Sequence, residues 1–220
     1  MTEEERILID AGKVLMNRQL AWGTSGNMST RIDDDTFLIT ASGTQMGALQ
    51  EGDFAICECA TGSAIGERKP SKELPMHLGI YQNRPDTRII LHSSPFYTTM
   101  LACSDLELHS ELFIESIYYL EHVAWVEYYH PGTVELGEAV REQSQFANVI
   151  MMRNHGVIVF EDNLSDAIMR LETLEMVCRM TVEAAAAGVK LNRLPEQTVS
   201  HFLNQAKYKP RKKLRGEPSS

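Results

Sequence analysis

No uninterrupted apolar stretch in the sequence approaches the roughly 18 to 20 residues needed to cross a bilayer, which excludes a membrane-spanning reading. Cysteine is scarce: Cys57, Cys59, Cys103 and Cys178 form no zinc or redox spacing. Cys57 and Cys59 make only a C-x-C that a strand would turn to one face, so they read as reduced thiols of a cytoplasmic protein. The chain also lacks a basic surplus. Its formal net charge is −9, and Lys207, Lys209, Arg211, Lys212, Lys213 and Arg215 crowd the end of the chain against a lone Glu217. That tail carries +5 and leaves −14 on the rest. Nucleic-acid affinity comes mainly from neutralising phosphates, so a body this acidic is not expected to bind nucleic acid. The opening Met1-Thr-Glu-Glu-Glu-Arg6 is acidic and leads into an amphipathic pattern, unlike a secretory leader. A cytoplasmic protein with no membrane partner is the expectation.

What is present is ordinary globular material: 220 residues, 43% hydrophobic and 23% charged, without a repeat or long linker. Apolar residues at helical spacing predict a helix over 4–19, and alternation predicts strands over 27–32, 36–40 and 54–59. Helices are predicted over 71–82, with Ser71 as N-cap, then 95–102, 134–145, 165–187 and 196–207; strands are predicted over 88–92, 148–152 and 157–160. Residues 105–130 carry no readable period. Strands early and helices late argue for an α/β protein of the α+β type, a three-layer sandwich with a mostly antiparallel central sheet. One domain is expected over 1–206, followed by a solvated basic tail over 207–220.

Four segments concentrate reactive groups. Thr24-Ser-Gly-Asn-Met-Ser29 and Ile39-Thr-Ala-Ser-Gly-Thr44 offer tight turns with hydroxyl, amide and backbone N–H donors, the chemistry of an anion cradle or of a plain turn. Lys69-Pro-Ser-Lys-Glu-Leu-Pro-Met-His77 brings hydroxyl and ammonium donors and a carboxylate to a helix start. His77, one turn beyond Glu73, reads as a packing residue. His92 ends a buried strand and His155 sits between two strands, so Glu73, His92 and His155 form a donor set suited to Zn²⁺ or a similar ion if they meet.

Taken with Pro131-Gly-Thr-Val-Glu-Leu136 and Asn154-His-Gly156, these motifs occur in the order and spacing of the class II aldolase/adducin family, which the chain resembles over residues 4–206. Fuculose-phosphate aldolase and ribulose-phosphate 4-epimerase are well-known members. The resemblance implies a metal-dependent lyase that cleaves a small ketose phosphate or related hydroxy-keto compound by a retro-aldol reaction, through a metal-stabilised enediolate. It implies that Glu73 is the acid/base carboxylate and a metal ligand, that His92 and His155 hold the metal, and that Asn27, Ser42, Gly43, Ser71 and Lys72 clamp a phosphate. It also implies a homotetramer with clefts shared between subunits. Epimerase or decarboxylase chemistry on the same site is the nearest alternative, and a catalytically silent scaffold resembling the adducin head is another.

The departures from the family pattern are specific. Family members carry His-x-His where this sequence has His92-Ser93-Ser94, so a hydroxyl replaces an imidazole. That weakens zinc and gives oxygen-tolerant ions such as Mn²⁺ more of a chance. Lys72 stands where a second serine is usual, either strengthening an anion contact or pairing with Glu73. Phe113 falls near the place of the proton-donating tyrosine, with Tyr118, Tyr119 and Tyr128 nearby.

Overall fold

The computed structural model describes residues 1–206, 208–210 and 214, so most of the expected basic tail lies outside the described residues. Helix α1 (Glu3–Asn17) begins at Thr2, whose hydroxyl accepts from the Glu5 N–H while the Glu5 carboxylate accepts from the Thr2 N–H. This reciprocal cap and three acids in the first turn suit the positive end of the helix. Leu8, Ala11 and Leu15 repeat at helical spacing and are buried, each leucine worth roughly 1.5–3 kcal/mol in apolar area removed from water.

Eight strands follow: β1 (Asn27–Arg31), β2 (Thr36–Thr40), β3 (Phe54–Glu58), β4 (Ala64–Ile65), β5 (Ile89–Ser93), β6 (Val123–Val126), β7 (Val149–Met152) and β8 (Gly156–Glu161). They form one sheet in the order β4-β3-β2-β1-β5-β8-β7-β6, antiparallel at every pairing except β6–β7. The expected mostly antiparallel sheet is therefore present. Its parallel edge lies in the stretch that carries no sequence period, as does the short helix α4 (Ile114–Tyr119).

Alternation along each strand divides the core in two. Ile89 and Leu91 of β5 join Leu8, Leu15, Leu171 and Leu174 on the side of α1, α3 (Phe96–Ala102), α4 and α6 (Leu164–Ala187). Ile90 joins Met76, Ile80, Leu136 and Val140 on the side of α2 (Leu74–Asn83) and α5 (Val134–Gln143). Cys57 and Cys59 do share a face, both buried in this second core, where burial pushes the Cys57 thiol up to about 11. A further helix, α7 (Glu196–Gln205), closes the described chain.

One helix boundary departs from expectation. Ser71 does not cap α2; its carbonyl accepts from the Leu74 N–H and its hydroxyl from the Glu73 N–H in a separate turn, and the helix starts at Leu74 with Glu73 at its cap. Pro75, lacking an N–H, costs nothing in that first turn.

Candidate metal centre

Strand register builds the centre. Asn27 of β1 lies directly across from His92 of β5, and both point to the α2 side of the sheet, where Glu73 enters at the helix cap. Two tight approaches bring in the rest. Gly26 has φ 88°, and a Cβ there would lie 2.4 Å from the His92 carbonyl oxygen. Gly156 sits so close to β5 that a Cβ would meet the Ser93 carbonyl oxygen at 2.6 Å, and this brings His155 over the end of the strand.

The Glu73 Oε1 atom lies 3.0 Å from His155 Nε2, and Oε2 lies 3.2 Å from His92 Nε2. Two donors held by one tetrahedral ion at about 2.0 Å stand roughly 3.3 Å apart, so these spacings match a shared ion. The His92 Nδ1–H donates to the Val157 carbonyl at 2.9 Å, which leaves Nε2 as the ring nitrogen that faces Glu73. Among the described residues, Glu73 Oε1 is buried without a hydrogen bond. A buried carboxylate whose two oxygens each face an imidazole nitrogen calls for a cation, and two imidazoles with one carboxylate are a fitting donor set for a divalent one. Burial alone would push the Glu73 carboxyl up, but the adjacent His92 and His155 outweigh it and hold the group well below the usual carboxylate range. For His92 burial opposes charging, yet Glu73 raises it above its ordinary value.

Ser94 lines the same cleft but is not among these donors. Its hydroxyl accepts from Ser25 Oγ at 3.1 Å, and its carbonyl accepts from the Trp22 indole N–H at 3.1 Å. Ser25 belongs to the Thr24–Ser29 segment nominated as an anion cradle, and here its hydroxyl is engaged with Ser94; Trp22 reads in the sequence only as part of a turn.

Above the centre is a cleft of about 750 Å³ lined by every residue the sequence nominated: Asn27, Ser42, Gly43, Ser71, Lys72, Glu73, His92 and His155. Backbone pairing explains how two distant loops meet. Ser71 N–H donates to Thr40 O, and Ser42 N–H donates to Lys69 O, so Ser42, Gly43 and Ser71 sit together. The Ser42 N–H is thereby spent, which leaves its hydroxyl and the Gly43 N–H as the available donors. Lys72 is exposed at the rim and, among the described residues, makes no ion pair with Glu73. Asn27 donates from Nδ2 to Glu73 Oε2 at 2.6 Å, so one of its two amide protons is already engaged. No tyrosine lines the cleft among the described residues. Phe113 is half-buried against the α1/α3/α6 core, Tyr118 donates to Pro210 O, Tyr119 is buried beside Lys209, and Tyr128 pairs with His130.

Residues 6–182 match the model of the Class II Aldolase and Adducin N-terminal domain. The chain belongs to the class II aldolase/adducin family. A 3-oxo-tetronate 4-phosphate decarboxylase of Haemophilus influenzae is 28% identical over 208 residues, covering 93% of this chain and 98% of that protein. An L-fuculose phosphate aldolase of Methanococcus maripaludis is 33% identical over 168 residues, covering 76% and 89%. A solved L-fuculose 1-phosphate aldolase superposes with a TM-score of 0.80 at 28% identity, covering 94% of this chain and 98% of that one. The class II aldolase fold and a site consistent with the divalent centre of such enzymes are thus established for this family member. No helix among the described residues is long and apolar enough to cross a membrane.

Proposed function

We propose that this class II aldolase family member is a metal-dependent lyase that breaks a carbon–carbon bond beside a carbonyl in a small phosphorylated substrate, with retro-aldol cleavage of a ketose phosphate as its reaction. The observation that carries the reading is the clustering of Glu73, His92 and His155, with the Glu73 Oε1 atom buried beside His155 and, among the described residues, left without a hydrogen bond. A divalent ion, when bound, supplies Lewis-acid polarisation of substrate oxygens. Glu73 would move the proton. Ser42, Gly43, Ser71 and the second Asn27 amide proton would hold the phosphate in the cleft, with Lys72 screening its charge from the rim. Zinc is the first choice of ion, and Mn²⁺ is the second because Ser94 stands where an imidazole would have favoured zinc. The protein would work as a homotetramer on a small anionic substrate.

Decarboxylation is the second reading. It is supported by the near full-length likeness to a decarboxylase and by the cleft's lack of a tyrosine. The retained donor set and two catalytic relatives oppose a silent scaffold. The test is incubation with Zn²⁺ or Mn²⁺ and two substrate sets, ketose 1-phosphates and 4-phosphorylated 3-oxo acids, scoring glycerone phosphate and CO₂ separately. Glu73→Gln should lower the productive rate by about 10²- to 10⁴-fold. Absence of both products with every ion and substrate would refute the lyase reading.

A further inference from the structure

Helix α2 carries two fully buried polar side chains that the chemistry above does not use, His77 and Tyr81. Both face Ser29 of β1, one strand position past Met28 from Asn27 and on the same face. The distances join these four residues to Glu73. Tyr81 Oη is 2.9 Å from Ser29 Oγ, Ser29 Oγ is 2.7 Å from His77 Nδ1, His77 Nε2 is 2.6 Å from Asn27 Oδ1, and Asn27 Nδ2 is 2.6 Å from Glu73 Oε2.

Donor and acceptor chemistry gives this chain a direction. An ionised carboxylate only accepts, so Asn27 must present its NH₂ to Glu73 and its oxygen to His77. An amide oxygen only accepts, so His77 must carry its proton on Nε2. The ring is neutral, because burial first and His92 second push its pKa down to about 3. Its Nδ1 must then accept from the Ser29 hydroxyl. Ser29 has spent its proton and accepts from Tyr81, whose alternative acceptor, the Arg88 carbonyl, lies farther away at 3.4 Å. Arg31 holds the far end, with its guanidinium 4.8 Å from the Tyr81 ring centroid and Nη2 donating to the Tyr81 carbonyl. Every link has one sense only.

We infer that Tyr81, Ser29 and His77 are positioning residues: a directed hydrogen-bond chain that locks the Asn27 amide so that its NH₂, and not its oxygen, faces Glu73. An asparagine amide is nearly symmetric in shape, and a flip would set an amide oxygen against a carboxylate oxygen. His77 forbids that flip, since its Nε2–H would then face an NH₂. With Oε2 pinned by Asn27, the carboxylate turns Oε1 toward His155, and the second Asn27 proton points to the cleft. The consequence for ion affinity rests on the metal-centre reading; the direction of the chain does not.

The decisive variants are His77→Gln and His77→Met, which are alike in length and flexibility but differ in whether a proton can be donated to Asn27. Chelator-stripped parent and variants are titrated with Co²⁺, read by its visible absorption. Loss of an outer-shell partner typically costs about 10- to 100-fold in metal affinity, and His77→Met should fall by that factor while His77→Gln stays within a few-fold of the parent. Equal affinities for the two variants, whether both high or both low, would overturn the inference, because the donated proton would then not matter. A second arm needs neither metal nor substrate: ¹⁵N NMR of the metal-free parent at neutral pH should show His77 as the neutral Nε2–H tautomer. The Nδ1–H tautomer or an imidazolium would reverse the chain and overturn it, including where His77→Met fails to fold. If the parent binds no Co²⁺, the metal centre falls instead, and the tautomer alone decides the chain.

Discussion

His77 ties stability to pH in a window that no exposed histidine can imitate. Its ordinary pKa of 6.5 is pushed down to about 3, chiefly by complete burial, so it stays neutral in the folded protein while the unfolded chain binds a proton below about pH 6.5. Between those values the unfolded state holds one more proton, so stability rises with pH; the contribution is complete above pH 6.5 and is lost as pH falls toward 3. One proton corresponds to about 1.4 kcal/mol per pH unit, and the whole window to something on the order of 4 kcal/mol. His77→Gln keeps an N–H for Asn27 but cannot titrate. Urea unfolding of parent and variant, both with chelator present, should give curves whose difference shrinks by about 1.4 kcal/mol for each pH unit descended from 6 to 4. Contributions from the other titrating groups cancel to first order in that difference. Parallel curves would refute the reasoning, since they would mean that His77 is protonated in place or reached by water.

Three further outcomes follow from the site. Ser94→His should tighten Zn²⁺ in calorimetric titration of the stripped protein, while His92→Ala should abolish the binding; a parent and Ser94→His pair that both fail to bind would dismantle the three-ligand assignment. Saturating phosphate should stabilise the parent by about 2.7 kcal/mol at a hundredfold excess over its dissociation constant. Lys72→Ala should lose most of that thermal shift while keeping its unliganded Tm, and an unaltered shift would remove Lys72 from the anion site. Light scattering at micromolar concentration should give about four times the 24.8 kDa chain mass, and a monomer would count against a shared cleft.

The elements legible in the sequence are those with a strong period and one plain environment. β1, β2, β3 and β5 alternate or run apolar between turn residues, and all lie inside the sheet. β6 escapes notice because it is a half-buried edge strand, and β4 because it is only two exposed residues long. The start of α2 was misplaced by three residues because a serine three positions ahead of a helix resembles a cap, whereas here it closes its own turn. The nominated site residues were visible as motifs, but their meeting depends on register: Asn27 against His92, Ala41 against Pro70, and Gly156 pressed on Ser93. Ser29 falls in the segment nominated as an anion cradle but turns its hydroxyl to α2 instead, and Tyr81 carries no signal, since a tyrosine on a helix is ordinary until a fold sets it 2.9 Å from that hydroxyl. His77 looked like packing and is indeed satisfied at both nitrogens, but by polar partners and not by a purely apolar face.

The two candidate reactions differ in their demand for protons, and that difference bears on the cleft. Retro-aldol cleavage takes a proton from a hydroxyl as the aldehyde forms and returns one to the carbon left with the electron pair. Decarboxylation releases CO₂ from a carboxylate without removing a proton, and only the carbon must receive one. A site with separate groups for removal and return can perform the first; a site with one mobile proton suffices for the second. This cleft presents no tyrosine among its described lining, and on the proposed reading its imidazoles would be taken up by the ion, His92 with Nδ1 on the Val157 carbonyl and Nε2 beside Glu73. Among the described lining Glu73 is the one carboxyl group, so on the proposed aldol reading it would take the hydroxyl proton and hand the same proton to carbon. That single-carrier route predicts a result the two-carrier route does not: Glu73→Gln should abolish both bond cleavage and, with the cleavage product offered alone in D₂O, incorporation of deuterium at the carbon that receives the proton. A variant that loses cleavage yet still exchanges that carbon-bound proton would mean a second group, from the neighbouring subunit or from water, completes the cycle.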